Sequence, residues 1–195
     1  MRNQRQHLVV GTRGSKLALV QTEEILQKLR RTNPDLQFEI IEISTSPDVR
    51  WQDPLDSFPV GMFVKELEHA LLDGVADIAI HSLKDLPTDM PPQLSIAAVG
   101  QREDPRDVLI SHSNLSLSQL QQGARLGTSS PRRASQVKTM RRDLEIVPIR
   151  GNVDTRLRKV QDGEYDATVM AAAGIRRLGL LNQITQYSLQ VIQKY

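Results

Sequence analysis

The chain has 195 residues, 39% hydrophobic and 25% charged, the proportions of an ordinary globular protein. With no cysteine it can hold neither a disulfide framework nor a thiolate metal site, and no run approaches the roughly 18 apolar residues of a membrane span. The net charge of +2 conceals an asymmetry: residues 1–100 carry 10 Lys/Arg against 14 Asp/Glu, whereas residues 101–195 carry 15 against 9, and 12 of those 15 are arginine.

The start, "MRNQRQHLVVGTRG", is basic but has no apolar stretch followed by a small-residue cleavage site, so no secretory leader is expected and the cytoplasm is the expected location. "HLVVGT" (7–12) reads as a short strand. "SKLALVQTEEILQKLRR" (15–31) reads as a helix, with an apolar stripe at 17, 19, 20, 25, 26 and 29 and basic residues in its last turn. "LQFEIIEIST" (36–45) predicts a strand, and 46–61, with three prolines, a long loop. "MFVKELEHALLDG" (62–74) predicts a helix stopped by Gly74, "ADIAIHS" (76–82) a buried strand, and "LKDLPTDMPP" a loop.

The alternation then repeats. After "REDPRD" (102–107) come a strand "VLIS", a helix around 116–122, a strand "LEIVPI", a helix "NVDTRLRKVQ" and an apolar strand "DATVMAAA". This order predicts an α/β protein with mostly parallel sheets. We expect a first α/β lobe over 1–100, a hinge over 101–107 and an arginine-rich second lobe over 108–195. "VGTRGSKLA" (10–18) and "LGTSSPRRA" (126–134) align on their Gly-Thr, a weak echo that supports two similar lobes.

"GTSSPRRAS" (127–135) carries the first candidate site. With Ser130 as N-cap, Pro131 falls at the first helical position, and the free N–H groups of that helix end favour an anion beside Arg132 and Arg133. A capped surface helix that happens to carry arginines is the plainer alternative. "IRGNVDTRLRK" (149–159) repeats the logic: Arg150 follows a strand, Asn152 can cap the next helix, and Arg156 lies in its first turns. Arg176 and Arg177 follow "TVMAAAG". Arginine at three successive strand ends suits a ligand with several acid groups, and the lack of a G-x-x-x-x-G-K-[ST] loop favours carboxylates over phosphates. In "HSLKDLP" (81–87), Asp85 stands just past a buried strand beside Lys84. It could donate a proton to a leaving amine and face the cation left behind, or simply brace the turn. His81 has no second histidine nearby and suits a core position, and no metal-ligand spacing occurs. The second half is basic, yet its aromatics are only Tyr165, Tyr187 and Tyr195, which does not suit nucleic-acid binding.

"FVKELEHALL", "HSLKDLPTDMP", "REDPRD", "GTSSPRRASQV", "RGNVDTRL" and "DGEYDATVMAAAGIRRLGL", in that order, together resemble the porphobilinogen deaminase (hydroxymethylbilane synthase) family over roughly residues 8–180. The resemblance implies two lobes like type II periplasmic binding proteins, and a transferase of porphyrin and haem biosynthesis. Such an enzyme joins four porphobilinogen units, releasing ammonia each time, into a linear tetrapyrrole begun on a dipyrromethane cofactor. It implies Asp85 as the catalytic aspartate, placed near the pyrrole nitrogens to stabilise a positively charged azafulvene-like intermediate. It implies Ser82, Lys84, Thr128, Ser129, Ser130, Arg132, Arg133 and Gly151 around the cofactor, and Arg13, Ser15, Phe63, Arg150, Arg156 and Arg177 around the substrate.

Three departures accompany the likeness. The family anchors its cofactor on a cysteine in a third domain, and this sequence has neither, so covalent attachment is not expected here. "LNQITQYSLQVIQKY" stands where the family returns to complete the first lobe's sheet, so the first lobe is expected to lack that last strand. "SFPVGMF", with Ser57 and Val60, stands where the family has a glycine- and lysine-rich loop. The expected partners are porphobilinogen and its oligomers, with no nucleic acid and no membrane, and the expected state is a monomer. A non-catalytic two-lobe binding module for carboxylated small molecules is the alternative.

Overall fold

The computed structural model describes residues 7–44 and 64–187. Phe63, Ser57, Val60 and the predicted loop at 46–61 lie outside the described residues. The chain divides into two compact units, Met1–Gln101 and Arg102–Tyr195.

The first unit runs β1 (His7–Arg13), α1 (Lys16–Thr32), β2 (Gln37–Ile43), α2 (Lys65–Leu72), β3 (Ile78–Ala79) and a 3₁₀ turn at Leu83–Asp85. Its described strands form a parallel sheet in the order β2-β1-β3, with Val10 opposite Ile40 and Ile78. Ser15 caps α1, its Oγ accepting from Ala18 N at 3.3 Å, and Arg30 and Arg31 occupy the last turn, where the helix dipole favours cations. Val10, Leu26 and Leu67 are fully buried. A Cβ on Gly11 would lie 3.2 Å from both Ile43 Cδ1 and Leu67 Cδ2, so β1 needs glycine where β2 and α2 close on it. The strand predicted over 76–82 is assigned at only two residues. Asp77 explains part of that: its carboxylate, rather than a backbone carbonyl, accepts from Val9 N at 2.8 Å.

The second unit runs β4 (Asp107–Ser111), β5 (Arg125–Gly127), α3 (Pro131–Met140), β6 (Glu145–Val147), α4 (Val153–Gln161), β7 (Ala167–Ala171), α5 (Ala172–Arg177), a 3₁₀ turn (Leu181–Gln183) and β8 (Gln186–Tyr187). The sheet order is β6-β5-β7-β4-β8, with β5 parallel to β6 and β7, and β4 antiparallel to β7 and β8. The expected α/β class with mostly parallel sheets is therefore correct, the antiparallel pairings among the described strands being those of β4 with β7 and β8. Both faces of β4 are covered: Leu109 packs with Leu126, Val137 and Leu144, while Val108 and Ile110 pack with Leu157, Met170 and Ile175. Burial on both sides accounts for the unbroken apolar run in "VLIS".

The helix predicted around 116–122 does not form. Ser116 N and Oγ both donate to Gln119 Oε1, at 3.0 and 2.6 Å, which closes one turn. Arg141 stops that turn from growing. Its Nη1 donates to Leu117 O and Ser118 O at 2.7 and 3.2 Å and its Nη2 to Leu120 O at 2.9 Å, occupying carbonyls that a continuing helix would give to amides four residues on. Asp143 grips the other side of the same guanidinium at 2.6 Å. Conversely, "DATVMAAAG" is strand only to Ala171, and its remaining alanines begin α5.

Because one side chain satisfies three loop carbonyls, Arg141→Ala is expected to lower the urea midpoint of unfolding more than loss of an exposed ion pair does. Arg30→Ala, which removes the exposed Arg30–Glu23 pair, is expected to cost less than about 1 kcal/mol. Urea titration of both variants checks the contrast.

Candidate functional site

Both Gly-Thr pairs lead from a strand to a serine-capped helix, through different local bonds. In the second unit β5 ends at Gly127, where a Cβ would stand 3.0 Å from Ile149 Cδ1 and Tyr165 Cδ1. Buried Thr128 follows, and its Oγ1 accepts from Ser130 N at 3.2 Å. Ser130 then caps α3 with Pro131 in its first turn, its Oγ accepting from Arg133 N at 3.4 Å. In the first unit β1 passes Gly11 and buried Thr12, whose Oγ1 accepts from Thr22 Oγ1 at 2.8 Å, and ends at half-buried Arg13 before Ser15 opens α1.

Ser129 has a different task from the one its neighbours suggest. Its hydroxyl donates to Ile149 O at 2.8 Å and accepts from Ile149 N at 3.1 Å, tying the loop after β5 to the loop after β6. As placed, it offers a ligand lone pairs but no proton. Gly151 has φ +103, and a Cβ there would come within 2.7 Å of the Thr155 side chain, so this turn requires glycine. Asn152 occupies the N-cap of α4 without a side-chain capping bond. Half-buried Arg150 lies three residues beyond β6.

Arg132 and Arg133 are both paired with a carboxylate that the motif reading passed over. Asp107, at the first position of β4, has its side chain 3% exposed. Arg133 donates to its Oδ1 through Nη2 at 2.7 Å and Nε at 3.2 Å, while Arg132 Nη2 lies 2.8 Å from its Oδ2. Arg156 differs. Its Nε donates to Gly151 O at 2.8 Å, and among the described residues no other hydrogen bond or ion pair engages its guanidinium. Burial, and after it the neighbouring Arg133 charge, hold its pKa below the usual arginine range. A cation in that position is short of an anion.

Arg176 and Arg177 do not sit at the end of β7. They close α5, one short helix further on, where Arg176 Nη1 reaches Glu103 Oε1 at 3.2 Å and half-buried Arg177 adds charge nearby. Between them and the arginines of α3 runs "REDPRD", whose three acids each hold an arginine: Glu103 with Arg176, Asp104 with Arg106, Asp107 with Arg132 and Arg133. Arg106 also lies over the Tyr187 ring of β8, 4.6 Å from its centroid.

In the first unit, "HSLKD" forms a 3₁₀ turn in which Asp85 N donates to Ser82 O at 3.0 Å. Ser82 Oγ donates to Gln21 Oε1 of α1 at 3.0 Å, and His81 Nδ1 lies 3.1 Å from the Ser82 carbonyl. Lys84 is exposed and Asp85 half-buried, and among the described residues no hydrogen bond or ion pair engages the Asp85 carboxylate. The sequence reading missed Gln21 and Asp107. Asp107 had a legible signal, an acid opening an otherwise apolar buried strand, because such an acid must find cations. Gln21 had none.

A family model described as porphobilinogen deaminase, dipyromethane cofactor binding domain, matches residues 8–194. The chain belongs to the porphobilinogen deaminase family. A porphobilinogen deaminase of Syntrophus aciditrophicus is 51% identical over 179 residues, covering 91% of this chain and 58% of that protein. One of Syntrophomonas wolfei is 50% identical over 182 residues, covering 93% and 60% respectively. The chain thus spans about three fifths of the length of these relatives. A crystal structure from Actinomyces odontolyticus, described as that of a lipoprotein, superposes with a TM-score of 0.51 at 15% identity over 95% of this chain and 79% of that one. That is a likeness of fold alone, of the type II periplasmic-binding-protein class. Among the described residues no helix is long and apolar enough to cross a membrane.

The family model names a cofactor, and the residues here fit it. A dipyrromethane carries side-chain carboxylates, and the second unit offers a half-buried guanidinium short of an anion, a capping serine whose proton goes to no described residue, and the exposed arm of Arg132. With no cysteine among the 195 residues, covalent attachment through a thiolate cannot occur within them.

Asp104 supplies a pH prediction. The Arg106 side chain, bonding at 2.6 Å, lowers its pKa from 3.8 to about 2. Since the folded value lies below the unfolded one, the pair's stabilisation is complete above pH 3.8 and fades as pH falls through about 2. A carbon-detected NMR titration should place the Asp104 midpoint near 2, and Arg106→Ala should return it toward 3.8.

Proposed function

We propose that this chain is the pyrrole-binding and reacting part of a hydroxymethylbilane synthase-type transferase, which joins four porphobilinogen units into a linear tetrapyrrole with release of ammonia. The observation that carries this reading is Arg156: a half-buried guanidinium beside the Arg133 charge, with Nη groups that no described residue accepts. Porphobilinogen bears an acetate and a propionate, so each ring brings two carboxylates to arginine forks. Ser130, Arg132, Arg133 and Lys84 hold cofactor carboxylates, with Ser82, Thr128, Ser129 and Gly151 shaping the loops that present them. Arg13, Ser15, Arg150, Arg156 and Arg177, together with Phe63, serve the incoming ring. When bound, the dipyrromethane supplies the starting rings to which units are added.

Asp85 performs the chemistry. As the acid it protonates the aminomethyl nitrogen of porphobilinogen, and the C–N bond breaks with its electron pair leaving in ammonia. The methylene carbon and its pyrrole ring then share a positive charge, which the Asp85 carboxylate faces. The free α-carbon of a neighbouring pyrrole attacks that methylene, a C–C bond forms, and the α-proton is lost. Support comes from the carboxylate's position: half-buried, held on a 3₁₀ turn fixed by Ser82 and Gln21, and engaged by no described cation. We place this activity in a cytoplasmic monomer.

Calorimetry with porphobilinogen and an ammonia-release assay on the purified chain test this reading together. Asp85→Asn is expected to abolish ammonia release while leaving affinity within about threefold, since it removes a proton donor but no binding fork. Arg156→Gln is expected to weaken porphobilinogen binding by about 10–100-fold, the loss of a charge-assisted contact. Binding without ammonia release would instead select the non-catalytic binding module, and activity indifferent to Asp85 would remove the catalytic assignment.

A further inference from the structure

We propose that Asp107 is a positioning residue that fixes Arg133 in place and leaves Arg132 as the exchangeable arm of the anion site. This rests on the reading of the second unit as a carboxylate-binding surface, but gives the two adjacent arginines unequal roles.

The asymmetry is geometric. Arg133 donates twice to Asp107 Oδ1, at 2.7 and 3.2 Å, and its side chain is 14% exposed. Arg132 is 52% exposed; its Nη2 lies 2.8 Å from Oδ2 but out of line, so that this buried oxygen has no hydrogen-bond partner. Its Nη1 rests on Gln136 Oε1 at 3.0 Å, an exposed contact one helical turn along. Removing Arg133 from Asp107 would leave a buried carboxylate without its hydrogen bonds, a heavy penalty, so Arg133 stays. Moving Arg132 breaks no hydrogen bond to Asp107; it gives up one close charge contact with Oδ2 and an exposed bond to Gln136, and a ligand carboxylate facing the same guanidinium can compensate for both.

Fixing Arg133 has a consequence for its neighbour. Burial, and after it the Arg133 charge, disfavours the charge on half-buried Arg156, so where Asp107 holds Arg133 adds to how strongly Arg156 calls for an anion. The carboxylate thus cancels one charge yet organises the remaining ones. A merely damping Asp107 would make the opposite prediction: its neutralisation should tighten anion binding, because the site gains a net positive charge.

Two measurements test the proposal. In the first, which needs no ligand, the native chain is treated with phenylglyoxal and the modified arginines are mapped by mass spectrometry. Arg132 is expected to react at least about tenfold faster than Arg133, and in Asp107→Asn the two rates should converge within about threefold. Equal rates in the native chain, or continued protection of Arg133 in the variant, would overturn the idea. In the second, calorimetry with porphobilinogen should show Asp107→Asn binding at least about tenfold more weakly despite its added positive charge, with Asp107→Glu recovering part of the loss. Unchanged or tighter binding by Asp107→Asn would likewise overturn it. If the native chain does not bind porphobilinogen, the proposed function fails and the mapping still decides the roles of the two arginines. If Asp107→Asn does not fold, the native mapping and Asp107→Glu decide them.

Discussion

Positive charge is hard to concentrate, and the second unit manages it around one buried carboxylate. Arg133 lies close enough to Arg156 to disfavour its charge, and Arg132 stands next to Arg133 on the same helix end. The N-terminus of α3 adds its own partial positive charge. Asp107 is the one carboxylate that pairs with Arg132 and Arg133 among the described residues. With it, one guanidinium is fixed by two hydrogen bonds and the others are arranged relative to that fixed point. The same segment provides Asp104 for Arg106 and Glu103 for Arg176, so "REDPRD" serves as a short template of acids against which its own Arg106 and arginines from α3 and α5 are set. The acids at 103 and 104 are more open to water than Asp107, so they orient more than they stabilise.

Much of the fold could be read from the chain because hydrophobic period and capping agree. α1, α3 and α4 begin within a residue of where Ser15, Ser130 and Asn152 place them, and β4 and β7 coincide with apolar runs that are buried on both faces. The failures share a cause, which is tertiary hydrogen bonding that no local pattern encodes. The helix expected near 116–122 yields its carbonyls to Arg141, more than twenty residues away in sequence. The end of "DATVMAAAG" becomes α5, because alanine favours helix over strand, and this moves Arg176 and Arg177 off the strand end.

Of the candidate site, the residue types were legible and their partners were not. The sequence marks a helix mouth rich in hydroxyls and arginine, but three neighbouring hydroxyls there do three different things. Thr128 shapes the loop, Ser129 joins it to the loop after β6, and Ser130 caps the helix with its own proton still unassigned to any described residue. Adjacent arginines likewise separate into one that is buried and doubly bonded and one that is half-exposed. Such distinctions depend on which atoms from β4 and β6 arrive at the loop, which is a property of strand order. The sequence shows a β4 and a β7 but neither the short β5 nor that β7 lies between β5 and β4.

Burial and crowding of charge favour arginine over lysine at this site. Arg156 loses hydration through its packing against the α4 turn and feels Arg133 as well, two effects that both lower its pKa. Starting from the ordinary arginine value, a group so treated stays cationic at neutral pH. An ammonium starts roughly two units or more lower and is a compact, strongly hydrated ion, so the same burial and the same neighbour would carry it toward neutrality. A site that must keep several positive charges close together and partly out of water therefore selects guanidinium at positions such as 133 and 156.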